Sequence, residues 1–347
     1  MLKCNEMKKV CLLVFLMVVI SHSLLAQDNR SHNPVTIFEE LWSQFDQQYA
    51  GFELRNVDWN QLHEKYSAKI SEQTTKEALF ETCCEMLREL NDAHVSLIDE
   101  SGPVKKRCNA NNFPDSTTIF KRFTEKKFYQ MVDRTLMSKG FSPLLKSQVI
   151  SYANSGNIGY IRIAGMSKNS KGLNSALDAL KHTNGLIIDI RLNPGGTDQY
   201  LYQIAGRFAD QRRVGHYLKT RIKGLDRFTE VEAMYLKPSG KYQYKQPIII
   251  LTSDFTASAA EVFTLAMKQL PNVTIMGDRT NGAMSHMLPI RLSNGWRVSL
   301  SNQITYSADM RNYEGVGIPP DIKIKDDPKG FEDRVLLSAI EELTSRR

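Results

Sequence analysis

The sequence predicts an α/β protein, with an N-terminal helical module followed by a core in which strands alternate with helices. Three observations carry this. Residues 34–96 place apolar residues at helical spacing behind three helix-start patterns. From residue 157 onward, apolar runs of strand length alternate with helix-like stretches, as in a sheet joined by crossovers. With 347 residues, 41% hydrophobic and 24% charged, the chain is neither disordered nor fibrous and is long enough for one large or two modest domains.

The first 26 residues read as a secretory signal peptide: Lys8-Lys9, an apolar run over residues 10–20, then small and polar residues. The run is too short to span a membrane comfortably. Cleavage is expected after Ser23 or after Ala26, which gives an exported product, periplasmic or extracellular. Cys11 follows Lys-Lys-Val, so no lipoprotein cleavage site is indicated and no stable membrane insertion is expected after cleavage. Cys4 and Cys11 leave with the leader, and the remaining Cys83, Cys84 and Cys108 form no CxxC or zinc-like cluster. The formal charge of +7 drops by two when Lys3, Lys8 and Lys9 leave together with Glu6, three positive charges against one negative. The basic residues that remain are scattered without an aromatic-interleaved pattern, which argues against nucleic acid as a partner.

The helical module, residues 34–98, opens on Thr36-x-x-Glu39, a capping-box pattern ahead of Phe38, Trp42, Phe45 and Tyr49. Asp58 precedes a second stripe of Leu62, Tyr66 and Ile70. Thr74-x-x-Glu77 precedes a third, of Leu79, Phe80, Cys83, Leu87 and Leu90. Residues 99–154 are polar, basic and broken by Gly and Pro, and read as a connecting segment without an assigned role. In the core, residues 155–347, the runs 158–163, 185–190 and 247–252 predict strands. Residues 330–344 predict a terminal helix with Phe331, Val335, Leu336 and Ile340 on one side.

Two segments suggest chemistry. Thr252-Ser253-Asp254-Phe255-Thr256-Ala257-Ser258-Ala259-Ala260-Glu261 leaves a buried strand and enters a helix, so Ser258 falls at a helix N-terminus, where free N–H groups and the helix dipole favour negative oxygen. Asp189-Ile190-Arg191-Leu192-Asn193-Pro194-Gly195-Gly196 runs from a strand into a Gly-Gly turn, where backbone amides can face a ligand oxygen unobstructed. Each pattern also has a plain structural meaning, an N-cap serine and a strand-to-helix turn.

Taken in order, these segments resemble the tail-specific (C-terminal processing) protease superfamily, whose nucleophile matches Ser258. Gly277-Asp278-Arg279-Thr280-Asn281-Gly282 resembles its Gly-x-x-Thr-x-Gly, and Gly315-Val316-Gly317-Ile318-Pro319-Pro320-Asp321 its Gly-x-Gly-Ile-x-Pro-Asp. The likeness covers about residues 155–325. One branch places a lysine base directly after the second Gly of Gly-x-x-Thr-x-Gly; here that position is Ala283. The stretch between His94 and Tyr160 is also short for that branch's PDZ domain. The tricorn-core and retinoid-binding-protein-like branch fits better, with a helical module ending in Asn91-Asp92-Ala93-His94.

The resemblance implies a crotonase-like (ClpP/crotonase) α/β core and an acyl-enzyme mechanism. Ser258 would attack, His94 would be the base and Glu314 the supporting carboxylate. Backbone N–H groups of Ala259 and of Gly195 or Gly196 would hold the oxyanion. His286 is the rival base, whereas His63, His182 and His216 lack supporting context. No metal or organic cofactor is implied, the expected partner is a peptide or protein substrate, and homo-oligomer formation is left open. Rival readings of the same fold are a non-catalytic carrier of apolar ligands or peptides and a thioester-handling enzyme.

Overall fold

The computed structural model describes residues 33–147, 149–167, 170–324 and 332–345; the expected signal peptide and Phe331 lie outside them. Helix α1 (Pro34–Gln48) starts earlier than the Thr36-x-x-Glu39 pattern suggests. Asn33 Oδ1 accepts the Thr36 N–H at 3.2 Å, and Pro34, with its preset φ and missing N–H, occupies the first turn. Asp58 caps α2 (Trp59–Ser67) as expected, through the Gln61 N–H at 3.0 Å. Helix α3 (Lys76–Arg88) is capped by Thr75, one residue later than expected. The Thr74 hydroxyl is used in the preceding turn, where it accepts the Ser71 N–H at 2.8 Å.

The helical module does not bury its apolar stripes by itself. Strands β1 (Ser96–Asp99) and β2 (Lys106–Asn109) join β11 (Met287–Arg291) and β12 (Arg297–Ser301) in a four-stranded antiparallel sheet, order β11-β12-β1-β2. Phe38, Phe45, Phe80 and Leu87 pack against Leu97, Trp296, Val298 and Leu300 from that sheet. Trp296, fully buried, meets Phe80 edge-on at 5.3 Å.

Residues 99–154, expected only to connect, contribute to both parts. Besides β2 they form α4 (Thr118–Arg122), α5 (Glu125–Ser138), β3 (Leu145–Ser147) and β4 (Ile150–Asn154). Strands β3 and β4 are the antiparallel edge of a seven-stranded central sheet, order β14-β10-β9-β6-β5-β4-β3. Its other strands, β5 (Ile158–Ile163), β6 (Gly185–Asp189), β9 (Ile248–Thr252), β10 (Val273–Gly277) and β14 (Ile322–Lys323), are parallel.

The parallel strands β5, β6 and β9 are buried throughout, because helices cover both faces. Ile161, Ile188 and Ile250 pack with α6 (Ser170–Leu180), α7 (Asp198–Ala205) and α8 (Ala259–Met267), through Leu177, Leu201 and Phe263. Alternate residues Tyr160, Ile187 and Ile249 face α5 and α9 (Arg334–Ser345), through Val132 and Leu336. A third sheet, order β13-β7-β8, joins β13 (Gln303–Ser307), β7 (Arg213–Thr220) and β8 (Glu232–Leu236). Among the described residues no helix is long and apolar enough to cross a membrane.

Candidate active site

The loops that follow β6 and β9 both leave the carboxyl ends of parallel strands, where open α/β sheets gather their ligands. They interlock. The Ser253 hydroxyl donates to Arg191 C=O at 2.6 Å, the Thr256 hydroxyl to Ile190 C=O at 3.0 Å, and the Ala257 N–H to Asn193 C=O at 3.2 Å. Below them Arg191 is locked by Asp189 and Asp333, at 2.7 and 2.8 Å, so the loop base is a buried plug of one guanidinium shared by two carboxylates.

Ser258 precedes the first residue of α8 with φ 56° and ψ −129°, outside the left-handed helical well and a conformation rarely adopted by residues other than Gly. It is half-buried between the buried Ala257 and Ala259. Gly195 packs directly on it, since a β-carbon on Gly195 would lie 2.6 Å from Ser258 Cβ. The Gly195 N–H is taken by Asn193 Oδ1 at 2.9 Å, so it is not free for a ligand. Gly196 differs. Met166 N–H bonds Gly195 C=O and Thr197 N–H bonds Met166 C=O, which leaves the Gly196 N–H on the far side of that bridge. The Ala259 N–H, at the first position of α8, also lacks an acceptor among the described residues.

Residues 278–286 form the opposite wall. The Ser258 N–H donates to Ala283 C=O at 2.9 Å. Glu261, the third residue of α8 and fully buried, accepts from the Thr280 hydroxyl (2.6 Å), Gly282 N–H (2.7 Å), Ala283 N–H (2.8 Å) and Ser258 N–H (3.2 Å). Burial pushes its carboxyl up to about 7, against the pull of those donors. The segment is clamped from outside by Thr280 N–H to Ile318 C=O (3.1 Å) and Gly315 N–H to Gly282 C=O (2.7 Å). The fit is too close for side chains: a β-carbon on Gly317 would lie 2.0 Å from Thr280 O. The two glycine-containing motifs that are separate in sequence are therefore one contact.

Glu314 enters from that clamp. Its Oε2 accepts Met284 N–H at 2.8 Å and Ser285 N–H at 3.1 Å, and its Oε1 accepts Arg55 Nη2 at 3.1 Å. Burial, reinforced by Asp92, pushes the Glu314 carboxyl up to about 8, while Arg55 and the Met284 N–H oppose the rise. His94 arrives from the helical module, its N–H bound by Asp92 Oδ1 at 2.8 Å and its C=O by the Ser299 hydroxyl at 2.7 Å. Its ring lies near the Ser285 backbone, and its buried Nδ1 has no hydrogen-bond partner among the described residues. Burial lowers its pKa first of all; Asp92 and the Ser285 backbone oppose this, and Arg55 and His286 add to it.

Ser258, Ala259, Gly195 and Gly196 thus share one loop junction, while His94 and Glu314 meet the wall segment at Ser285. Ala283 and Ser285, two residues apart, span at most about 7 Å. His286 is exposed at the end of that segment and faces both His94 and Asp198. His63 is held by Glu39, and His216, buried on β7, by the Tyr202 hydroxyl at 2.6 Å. Sequence reasoning assigned no role to Glu261, Asp92, Arg55, Tyr49 or Ser285. Only Glu261 carried a usable signal, its capping-box spacing from Ser258.

Known proteins resemble this chain in two stretches. Peptidase family S41 matches residues 157–324, and the Tricorn protease C1 domain matches residues 33–88. A carboxy-terminal-processing protease of Bartonella bacilliformis is 26% identical over 201 residues, 56% of this chain and 45% of its own length. The carboxy-terminal processing protease CtpA of Bacillus subtilis is 29% identical over 178 residues, 50% of this chain and 36% of its own length. The chain therefore spans less than half the length of these curated relatives. A candidate peptidase from Parabacteroides merdae, known from a crystal structure, is similar with TM-score 0.75 and 26% identity, over 91% of this chain and 98% of that one. The chain thus carries a peptidase family S41 domain over residues 157–324, preceded by a helical segment of the Tricorn protease C1 kind over residues 33–88.

Proposed function

We propose that the protein is an exported serine peptidase that cleaves peptide or protein substrates through an acyl-enzyme on Ser258, on a core of the crotonase-like kind. Ser258 Oγ attacks the substrate carbonyl carbon and passes its proton to His94. The oxyanion that forms accepts the N–H groups of Ala259 and Gly196. As the carbon–nitrogen bond breaks, His94 gives the proton to the leaving amine. Water then attacks the acyl carbon, again losing a proton to His94, which returns it to Ser258 as the acid product departs. Glu314 supports the transient imidazolium.

The observation that carries this reading is the strained junction at Ser258. The half-buried Ser258 adjoins Gly195-Gly196 and Ala259, where the Gly196 and Ala259 N–H groups have no acceptor among the described residues, and its own N–H is tied to the segment that His94 adjoins. Strain of about 1–3 kcal/mol persists only where the surroundings fix it, here through Gly195 packing and the Glu261 bonds. Fluorophosphonate labelling tests the assignment: the native protein should take one label and Ser258→Ala none. Ser258→Ala should also lower turnover by several orders of magnitude, leaving roughly a thousandfold over water from the oxyanion donors. Undiminished labelling or peptide turnover in that variant overturns the nucleophile.

A further inference from the structure

We propose that Arg55 is a positioning residue that reaches from the helical module to fix Glu314 against the 283–285 segment and to favour its ionised form, so that docking of the module completes the catalytic charge set. The proposal rests on the serine-peptidase reading of the site and adds a residue which that reading does not contain.

Arg55 ends the single helical turn Glu53–Arg55, between α1 and α2. Its guanidinium makes three separate contacts: Nη1 donates to Asn91 C=O at 2.6 Å, Nη2 to Glu314 Oε1 at 3.1 Å, and Nε lies 3.5 Å from Asp92 Oδ2. All three charged side chains are largely removed from water, with Arg55, Asp92 and Glu314 exposed by 11%, 1% and 5%. The buried Tyr49 hydroxyl donates to Asp92 Oδ2 at 2.9 Å and closes the set.

A surface pair held this way would matter little, but here one cation stands between two buried carboxylates. Asp92 is further bound by the His94 N–H and by Tyr49; Glu314 has two N–H donors and this guanidinium. Among the described residues, the charged or titratable groups acting on Glu314 include Arg55, Asp92 and Tyr49 from the module and Glu261 from α8, and Arg55 is the cation of this set. Removing it leaves Glu314 with burial and two like charges against ionisation, so the carboxyl should keep its proton to higher pH. A neutral Glu314 cannot balance the imidazolium that His94 becomes.

The test uses the full chain with glutamate carbon-13 labelled at the side-chain carboxyl, read by NMR titration, with Glu314→Gln identifying the signal. Arg55→Gln should shift the Glu314 titration to higher pH. Arg55→Lys, which restores charge without the fork, should leave it near its native position. In parallel, Arg55→Gln should lower kcat/KM about tenfold at pH 7, with the loss shrinking as pH rises through the displaced titration; Arg55→Lys should lose about threefold. The double variant Arg55→Gln/Glu314→Gln should be no slower than Glu314→Gln alone.

An unmoved titration in Arg55→Gln overturns the proposal, as does a loss of kcat/KM that is equal at every pH. The NMR arm needs no turnover. If Ser258→Ala shows that the nucleophile is elsewhere, Arg55 and Glu314 are still judged on their own coupling. Arg55→Lys serves as the folded control where Arg55→Gln expresses poorly.

Discussion

At His94, burial first and then the charges of Arg55 and His286 disfavour the imidazolium, while Asp92 and the Ser285 backbone favour it. A base held this way is neutral, and ready to accept a proton, to lower pH than free histidine. The acid limb that His94 sets in kcat/KM should therefore lie below the ordinary histidine value of 6.5, apart from the one set by Glu314, whose carboxyl is raised to about 8. The same shift makes stability depend on pH with a definite sign: this group's contribution is complete above 6.5 and is lost as pH falls through the depressed native value. In His94→Ala, kcat/KM should collapse and the acid limb disappear, whereas His286→Ala should keep both; a pH–rate profile of the two variants decides between the histidines. Gly196 offers a second single-residue test. Its φ is 149° and an added β-carbon would stand 2.0 Å from Met166 O, so Gly196→Ala must displace the Gly195-Gly196 turn. Loss of one donor of this kind costs about 100–1,000-fold in kcat, with KM changed much less.

Helix α8 is held at its first turn by a carboxylate with no water contact. Glu261→Gln keeps the volume but turns one acceptor oxygen into an NH2 group facing N–H donors, for an expected loss of about 1–3 kcal/mol in urea unfolding. The sign with pH is opposite to that of His94. A carboxyl raised from 4.5 to about 7 binds its proton more tightly when folded, so stability is full below 4.5 and declines as pH rises to about 7. Glu261→Gln should flatten that decline, as thermal unfolding between pH 4 and 8 would register. Much at this scale was legible beforehand, because buried parallel strands and amphipathic helices write their period into the chain: residues 158–163, 185–190 and 247–252 are β5, β6 and β9 with little change of boundary. Helix starts were harder, since Thr36, Thr74 and Asn33 all have side chains able to cap and only local geometry chooses. The short elements between residues 99 and 154 stayed hidden because their apolar contacts are split between two sheets, β2 on the four-stranded one and α4, α5 and β4 on the central one. For the site, the serine loop and the Gly-Gly turn show as contiguous strings. Arg55 and Asp92 gain meaning only through Glu314, which no local pattern brings to them.

At the scale of the whole molecule, the module and the core share hydrophobic contacts that neither can supply alone. Trp296→Ala removes a side chain buried among Phe80, Leu87 and Val298, and should cost about 3–5 kcal/mol. Because Trp296 leads directly into β12, which pairs with β1, the loss should appear as one lowered transition, with Ser258 labelling falling at the same denaturant concentration as the fluorescence change. Two transitions, with labelling tied to the later one, would mean that the core stands without its module.

The contact between Arg55 and Glu314 joins residues 259 positions apart. A chain emerging N-terminus first presents the module and even Ser258 long before the partner carboxylate exists outside the ribosome. On the proposed mechanism such a nascent chain is a protease without its charge set, chemically silent during synthesis and transit and switched on by its own completion. Ribosome-bound chains stopped before residue 314 should accordingly resist fluorophosphonate, and the first length that takes the label would time the birth of the activity.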